Sequence, residues 1–555
     1  MNNTADNAKP PGTDTPRPQS ESVMRSAGIV SLAVLTSRVS GLVREMVLAR
    51  LFGAGMAYDA YLLGFRIPNL TRDLFAEGAL SSAFVPTFTE YLAKRTKQDA
   101  AHLANLVATA IIIVVGSMCA LGIVFAPQLV GLLAPGYAAV PGKFELAVEM
   151  TRIMFPFLLL VALAAQAMGV LNACNRFGVP ALSSTFFNIG SVVFGTLLGL
   201  ALGPSIGISK IEGMAAGVVL GGFLQLMFQV PSLRKLGFRF KPAIDWNEPG
   251  LVRILHLMGP AILGNAAVQI NVMVNSNLAS QICDPVTGCN GPVSWLGYAF
   301  RFMQLPLGLF GVAIGSAALP SISRSAAAGN MDEFRQTISH ALGNVFLLTL
   351  PSSIGLVVLG ESIIGAIYQG GAFQIYDTQQ TAIALSCFAI GLSGYSALKV
   401  LVPAFYSLGD SRTPMLVSIA SIVINLSVAT LLMREHMGQA GLAVTTSVVA
   451  LFAFLIQFVM LRNRLGGIHG RALTGYVARV VAASLMMAAV IWLSSTGVRS
   501  WLGLTHLARL ADVAISVPLG GCVYYFAAKA LGLSDIDMVM RSFIGPIQRR
   551  VPRWR

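Results

Sequence analysis

Residues 31–86 read SLAVLTSRVSGLVREMVLARLFGAGMAYDAYLLGFRIPNLTRDLFAEGALSSAFVP. The stretch is apolar enough for lipid, yet it carries Arg38, Arg44, Glu45, Arg50, Asp59, Arg66, Arg72, Asp73 and Glu77. A charge at the middle of a bilayer costs about 2.5–3.5 kcal/mol on insertion scales. In a spanning helix such side chains must face a wet cavity or one another. Their spacing favours a shared face: Arg38 and Glu45 lie two helical turns apart, Asp59, Arg66 and Asp73 repeat that interval, and Glu77 follows one turn later. Some of these charges also suit helix ends, where long side chains snorkel to the interface. Pro68 is expected to bend the second helix.

The rest of the chain fits a lipid solvent. Of 555 residues, 55% are hydrophobic and only 11% charged, against about 25% charged in soluble domains. Mean hydropathy is +0.71. A soluble enzyme, a disordered scaffold and a disulfide-stapled secreted module are excluded. The net charge of +14 points to loops held at anionic headgroups and not to nucleic acid.

Apolar runs predict fourteen helices, near 26–50, 56–92, 103–125, 145–173, 179–203, 211–231, 251–282, 293–325, 338–360, 380–408, 413–433, 440–462, 474–496 and 505–531. They run apolar for too long to be barrel strands. The expected fold is an all-α polytopic membrane protein of about fourteen transmembrane helices: two pseudo-symmetric six-helix lobes plus two C-terminal helices. The divisions are a disordered polar tail at 1–25, a first lobe at 26–235, a second at 236–465, two further helices at 466–535 and a basic tail at 536–555. Alternate loops concentrate Lys94, Arg95, Lys97, Arg234, Lys235, Arg239, Lys241, Arg412, Arg462 and Arg464 on the side of the N-terminus. That side is expected to be cytoplasmic, with both termini inside. An internal repeat is suggested by SSAFVP, ending at Pro86, against GSAALP, ending at Pro320. NACNRFGVP, ending at Pro180, likewise answers AFYSLGDSRTP, ending at Pro414. Both proline pairs are 234 residues apart.

Two more cations interrupt apolar sequence: Arg301 in YAFRFMQLP and Lys399 in ALKVL. Neither has an acid within four residues, so neither forms a local helical ion pair. A guanidinium stays charged and has five donors to satisfy. With Arg38, Arg44 and Arg72 these residues give an interior excess of cations, which an entering phosphate or pyrophosphate would satisfy. Pairing across helices with Asp59 and Glu77 would account for two of them. Cys283 and Cys289 share a short polar loop and are placed to form a disulfide on the outer side, where oxidation is permitted. No metal site, phosphate-binding loop or catalytic motif is visible, so transport is expected rather than catalysis.

SRVSGLVRE, ARLFGAGMAYDAY, FRIPNLTRDLFAEGALSSAFVP, MGPAILG, YAFRFMQLPLGLFGVAIGSAALPSISR and KVLVPAFYSLGDSRTP together resemble the MurJ (MviN) family of lipid II flippases, over about residues 26–530. That family lies within the multidrug/oligosaccharidyl-lipid/polysaccharide exporter superfamily. The resemblance implies two lobes around a central cavity and a groove at the last two helices for a lipid tail. It also implies transfer of an undecaprenyl-pyrophosphate-linked disaccharide-pentapeptide between leaflets for peptidoglycan synthesis. By motif, Arg38, Arg44, Arg72 and Arg301 stand at cavity arginines, and Asp59, Glu77 and Lys399 at other sensitive positions. Some relatives carry acids where this chain has Phe300 and Gln304, and Glu45 stands where relatives often have Asp.

The expected mechanism is alternating access without a cofactor, coupled to membrane potential or a monovalent ion. The expected partners are lipid II, membrane lipids and the cell-wall synthesis machinery. A drug/cation antiporter would line its cavity with acids and aromatics instead, and a non-transporting scaffold gives the interior arginines no purpose.

Overall fold

The structure, a computed structural model, describes residues 19–73, 80–468, 470–503 and 505–537. The first half of the chain supplies α1 (Gln19–Phe52), α2 (Met56–Arg72), α3 (Ser81–Lys94), α4 (Lys97–Val124), α5 (Ala126–Leu133), α6 (Lys143–Met154), α7 (Phe157–Ala173), α8 (Gly178–Thr196), α9 (Gly203–Ile206) and α10 (Lys210–Lys235). The second half supplies α11 (Pro249–Ser280), α12 (Pro292–Pro306), α13 (Ala313–Ala327), α14 (Met331–Tyr368), α15 (Ile375–Ile390), α16 (Leu392–Ser407), α17 (Arg412–Arg434) and α18 (Gly438–Arg464). A terminal pair follows, α19 (Gly470–Leu502) and α20 (His506–Ala530). Among the described residues, β pairing is confined to two isolated bridges.

The protein is a multi-pass membrane protein. Among the described residues, eleven helices or joined helix segments are long and apolar enough to span a bilayer. The described parts of all fourteen expected segments are helical, and residues 74–79 of the second lie outside the described residues. Polar residues interrupt some of them: α1 carries Arg38, Arg44, Glu45 and Arg50, and α11 carries Asn265, Gln269, Asn271, Asn275 and Asn277. Helix α1 also starts earlier than expected. Its first turns, QSESVMR, fall within the stretch read as a disordered tail, and Gln, Glu, Met and Arg are good helix formers. Residues 1–18, 538–555 and Glu77 lie outside the described residues.

Helix starts follow local chemistry. Thr96 with Asp99 and Ser209 with Glu212 form capping boxes at α4 and α10. Helix α8 and the π-helical stretch that continues it, Leu197–Leu202, meet α10 through facing glycines: an added methyl at Gly217 would lie 2.6 Å from the Gly195 Cα, and one at Gly213 2.3 Å from the Gly199 Cα. Backbones approach this closely only without side chains. The two motifs read as a repeat form the same turn. After α7, the Arg176 N–H bonds the Leu171 carbonyl at 2.8 Å; after α16, the Asp410 N–H bonds the Phe405 carbonyl at 2.9 Å. Each turn carries one left-handed residue, Asn175 or Gly409.

Between α12 and α13 the chain makes a π-helical turn, Leu307–Val312, directly after Pro306. One hydrophobic cluster spans both halves around Tyr58, Tyr137, Ile282, Tyr298 and Phe373, on the face that carries the Cys283–Cys289 loop. Toward the opposite face the cores separate. Phe84, Phe88 and Phe238 pack among α3, α4 and the start of α11, while Phe334, Leu401 and Leu461 pack among α14, α16 and α18. The terminal pair packs on α14.

Candidate functional site

Helices α1 and α12 run antiparallel where the two halves meet, and the charges at issue mark successive levels along them. At the central level, Glu45 accepts from Arg44 Nη2 at 2.9 Å and from the Tyr58 hydroxyl at 2.7 Å. From the other half, Arg301 Nη2 reaches the same Glu45 oxygen at 3.2 Å. Arg301 was expected to lack an acid, and locally it does; its carboxylate comes from α1 through tertiary packing. The two guanidiniums differ in access. The Arg301 side chain is 45% exposed. Arg44 is 6% exposed, its guanidinium over the rings of Phe65 and Phe187, and its Nε has no partner.

Two helical turns away from the disulfide face, about 10 Å along α1, Arg38 lies against the π-helical turn. A methyl group at Gly308 would sit 2.7 Å from Arg38 Nη2. Further along, Gly315 of α13 packs on the backbone of Lys399. Both Arg38 and Lys399 are exposed. Arg72 sits apart near the end of α2, its guanidinium on Asp73 at 2.9 Å.

Toward the disulfide face an aromatic floor closes the junction. The Tyr58 ring stacks on Tyr298 at 4.7 Å, and Tyr298 packs against Tyr368 and Phe373. Beyond it lies Asp59. It stands with none of the interior arginines but in a second cluster, 0% exposed. Lys143 of α6 donates to it at 2.7 Å, and the Gly291 and Ser294 N–H groups of the other half donate at 2.9 Å each. Asp59 therefore caps the first turn of α12 from across the halves. Nothing in the local sequence ties Lys143 to an acid 84 positions earlier. Cys283 and Cys289 are joined as a disulfide.

A further polar cluster joins the terminal pair to α14, without a signal in the apolar sequence around it. Buried Asp512 accepts from the hydroxyls of Ser362, Ser495 and Ser516, while Glu361 meets Arg499 and Arg509. Among the described residues, no group of His, Cys, Asp and Glu is placed to hold a metal ion.

The family model described as lipid II flippase MurJ matches residues 48–511. The chain belongs to the MurJ lipid II flippase family. A relative from Vibrio cholerae, named a probable lipid II flippase MurJ, is 33% identical over 94% of this chain and 98% of its own length. A Burkholderia cenocepacia protein named lipid II flippase MurJ is 31% identical over 92% of this chain and 96% of its own. Among solved structures, a MurJ in an inward closed conformation matches with a TM-score of 0.72 at 24% identity, covering 90% of this chain and 99% of that one. An inward-facing multidrug transporter of the MATE family matches with a TM-score of 0.60 at 17% identity, over 80% of this chain and 95% of that one. These two likenesses concern the fold. The chain therefore shares its helical frame with a solved MurJ and with a multidrug transporter.

Proposed function

We propose that this protein moves lipid II, the undecaprenyl-pyrophosphate-linked precursor of peptidoglycan, from the inner to the outer leaflet of the bacterial cytoplasmic membrane by alternating access. The observation that carries the reading is the imbalance at the junction: Arg44 and Arg301 share one carboxylate, Glu45, and Arg38 adds a third cation about two helical turns further along α1. A diphosphate supplies the missing negative charge, and arginine forks grip phosphate oxygens two at a time. A drug/cation antiporter needs the opposite polarity.

The residues divide the work by access. Arg301 and Arg38 are exposed and meet the headgroup first. Arg44, held between two rings, orients Glu45. When the diphosphate engages Arg301 it competes with Glu45, whose other oxygen holds the Tyr58 hydroxyl. Substrate charge is thereby linked to the aromatic floor between the halves. Lys399 extends the basic path, while the long apolar tail stays in lipid beside α19 and α20. A ligand shifts the two states only by its difference in affinity for them. The lysine- and arginine-rich face is cytoplasmic, the disulfide face outward. The membrane potential supplies about 2.3 kcal/mol per charge moved through 100 mV, with a monovalent ion as the other means of coupling. The work is transport and not catalysis, needs no cofactor, and joins the enzymes that make the precursor to those that consume it.

The test is a leaflet-resolved assay of lipid II accessibility in cells depleted of the native protein and supplied with variants. Arg301→Ala and Arg38→Ala should each reach the membrane at normal levels yet leave lipid II on the inner leaflet. Normal flipping by both variants rejects the junction as the diphosphate site.

A further inference from the structure

The Asp59 cluster has a feature that capping alone does not require. Lys143 Nζ makes two bonds of 2.7 Å, one to Asp59 within its own half and one to the Cys289 carbonyl of the other half. Cys289 closes a seven-residue ring through its disulfide with Cys283. The next two residues lead into α12, where Gly291 and Ser294 donate to Asp59 and the Ser294 hydroxyl adds a bond of 2.5 Å. Inside the ring, Asp284 and Gly288 exchange backbone bonds, and the Asp284 carboxylate accepts from the Tyr376 hydroxyl of α15 at 2.9 Å. Two elements of the second half, the ring and the start of α12, are thus fixed on a lysine and an aspartate of the first, and α15 is tied to the ring.

We propose that the Cys283–Cys289 ring is a redox-sensitive clip of the gate on this face, and that Lys143 is the positioning residue through which it holds the two halves closed. The inference rests on the alternating-access reading. A buried ion pair whose bonding capacity is filled adds little net stability, because desolvation offsets its attraction. It contributes geometry instead: the bonds form only when the Cys289 carbonyl and the α12 N-terminus are both in register. The disulfide keeps them in register by removing freedom from the ring. On reduction by a dithiol, Cys283 and Cys289 each gain a hydrogen and the dithiol closes to its own disulfide. The ring then opens, and the carbonyl leaves Lys143 more often. The remaining cysteines are already thiols and are unchanged.

The experiment is hydrogen–deuterium exchange on the full-length protein in lipid nanodiscs, before and after dithiothreitol, and for Cys283→Ser/Cys289→Ser, Lys143→Met and Lys143→Arg. Treating the folded protein avoids dependence on how well a variant folds. Unclipping should speed exchange of amides 291–295 and 57–61 by about tenfold. It should also slow exchange in residues 313–327 and 249–256, because halves that part on one face close on the other. Lys143→Met should do the same, and Lys143→Arg should restore most of the protection. Unchanged exchange overturns the proposal. Faster exchange at the disulfide face alone also overturns it, since that marks a structural staple and not a gate. Failure of the diphosphate assignment would appear separately, as normal flipping by Arg301→Ala with these exchange patterns intact.

Discussion

Glu45 serves two cations from two halves of the chain, and its removal should be felt unequally by them. Arg301 is half-exposed and can recover water. Arg44 is buried between Phe65 and Phe187 and cannot. Glu45→Ala should therefore destabilise the protein by about 3–5 kcal/mol, the cost of an uncompensated buried charge, read as a lower melting temperature in detergent. Adding Arg44→Met should recover much of the loss, because an apolar side chain of similar length suits that ring-lined site. Sequence made Arg44 and Arg301 conspicuous as charges in apolar surroundings. It did not reveal their shared carboxylate, because α1 and α12 are brought together only by folding.

Among the elements, the α8–α10 contact depends most on what is missing. A side chain at Gly217 must enter the backbone of α8 at Gly195 and the Ser191 carbonyl. Gly217→Leu should cost about 1–3 kcal/mol or more, seen as reduced thermal stability. Charge reversal elsewhere on α10 should not reproduce it. The disulfide loop offers a second prediction at this scale. Burial alone would raise the Asp284 pKa, but the N–H groups of Thr287 and Val286 and the Tyr376 hydroxyl outweigh it and hold the carboxyl below its usual value. A depressed carboxylate stabilises the fold above its unfolded pKa, about 3.9, and loses that contribution as pH falls through the lowered value. The difference in melting temperature between wild type and Asp284→Asn should thus be constant near neutrality and shrink below about pH 4. A difference that grows in acid would contradict the assignment.

Across the whole molecule, contacts on the two faces differ in kind. The disulfide face is closed by a dry aromatic floor and a buried lysine–aspartate pair. On the opposite face the apolar contact of α3 with α11 is rimmed by ion pairs, Arg253 to Glu90 at 2.6 Å and Arg95 to Glu248 at 3.7 Å. Salt at about 1 M shortens the screening length to about 3 Å. High ionic strength should therefore speed amide exchange at residues 249–255 and leave residues 291–295 protected. Equal responses on both faces would show that the dryness of one closure is not what distinguishes them.

By itself the sequence determined what kind of solvent this chain needs, where its helices fall, and that cations interrupt its apolar runs. Each follows from composition or from spacing within a few turns, where the physics is local. It also carried the repeated turns at Asn175 and Gly409, since a left-handed residue after a helix is written into neighbouring positions. Tertiary structure alone decided which charges meet. It assigned Glu45 to Arg301, removed Asp59 from the arginines and gave it to Lys143, and filled the α14–α20 contact with buried polar groups. Partners so far apart along the chain leave no mark in local periodicity; their attraction acts only after packing has excluded water and brought the helices to bonding distance.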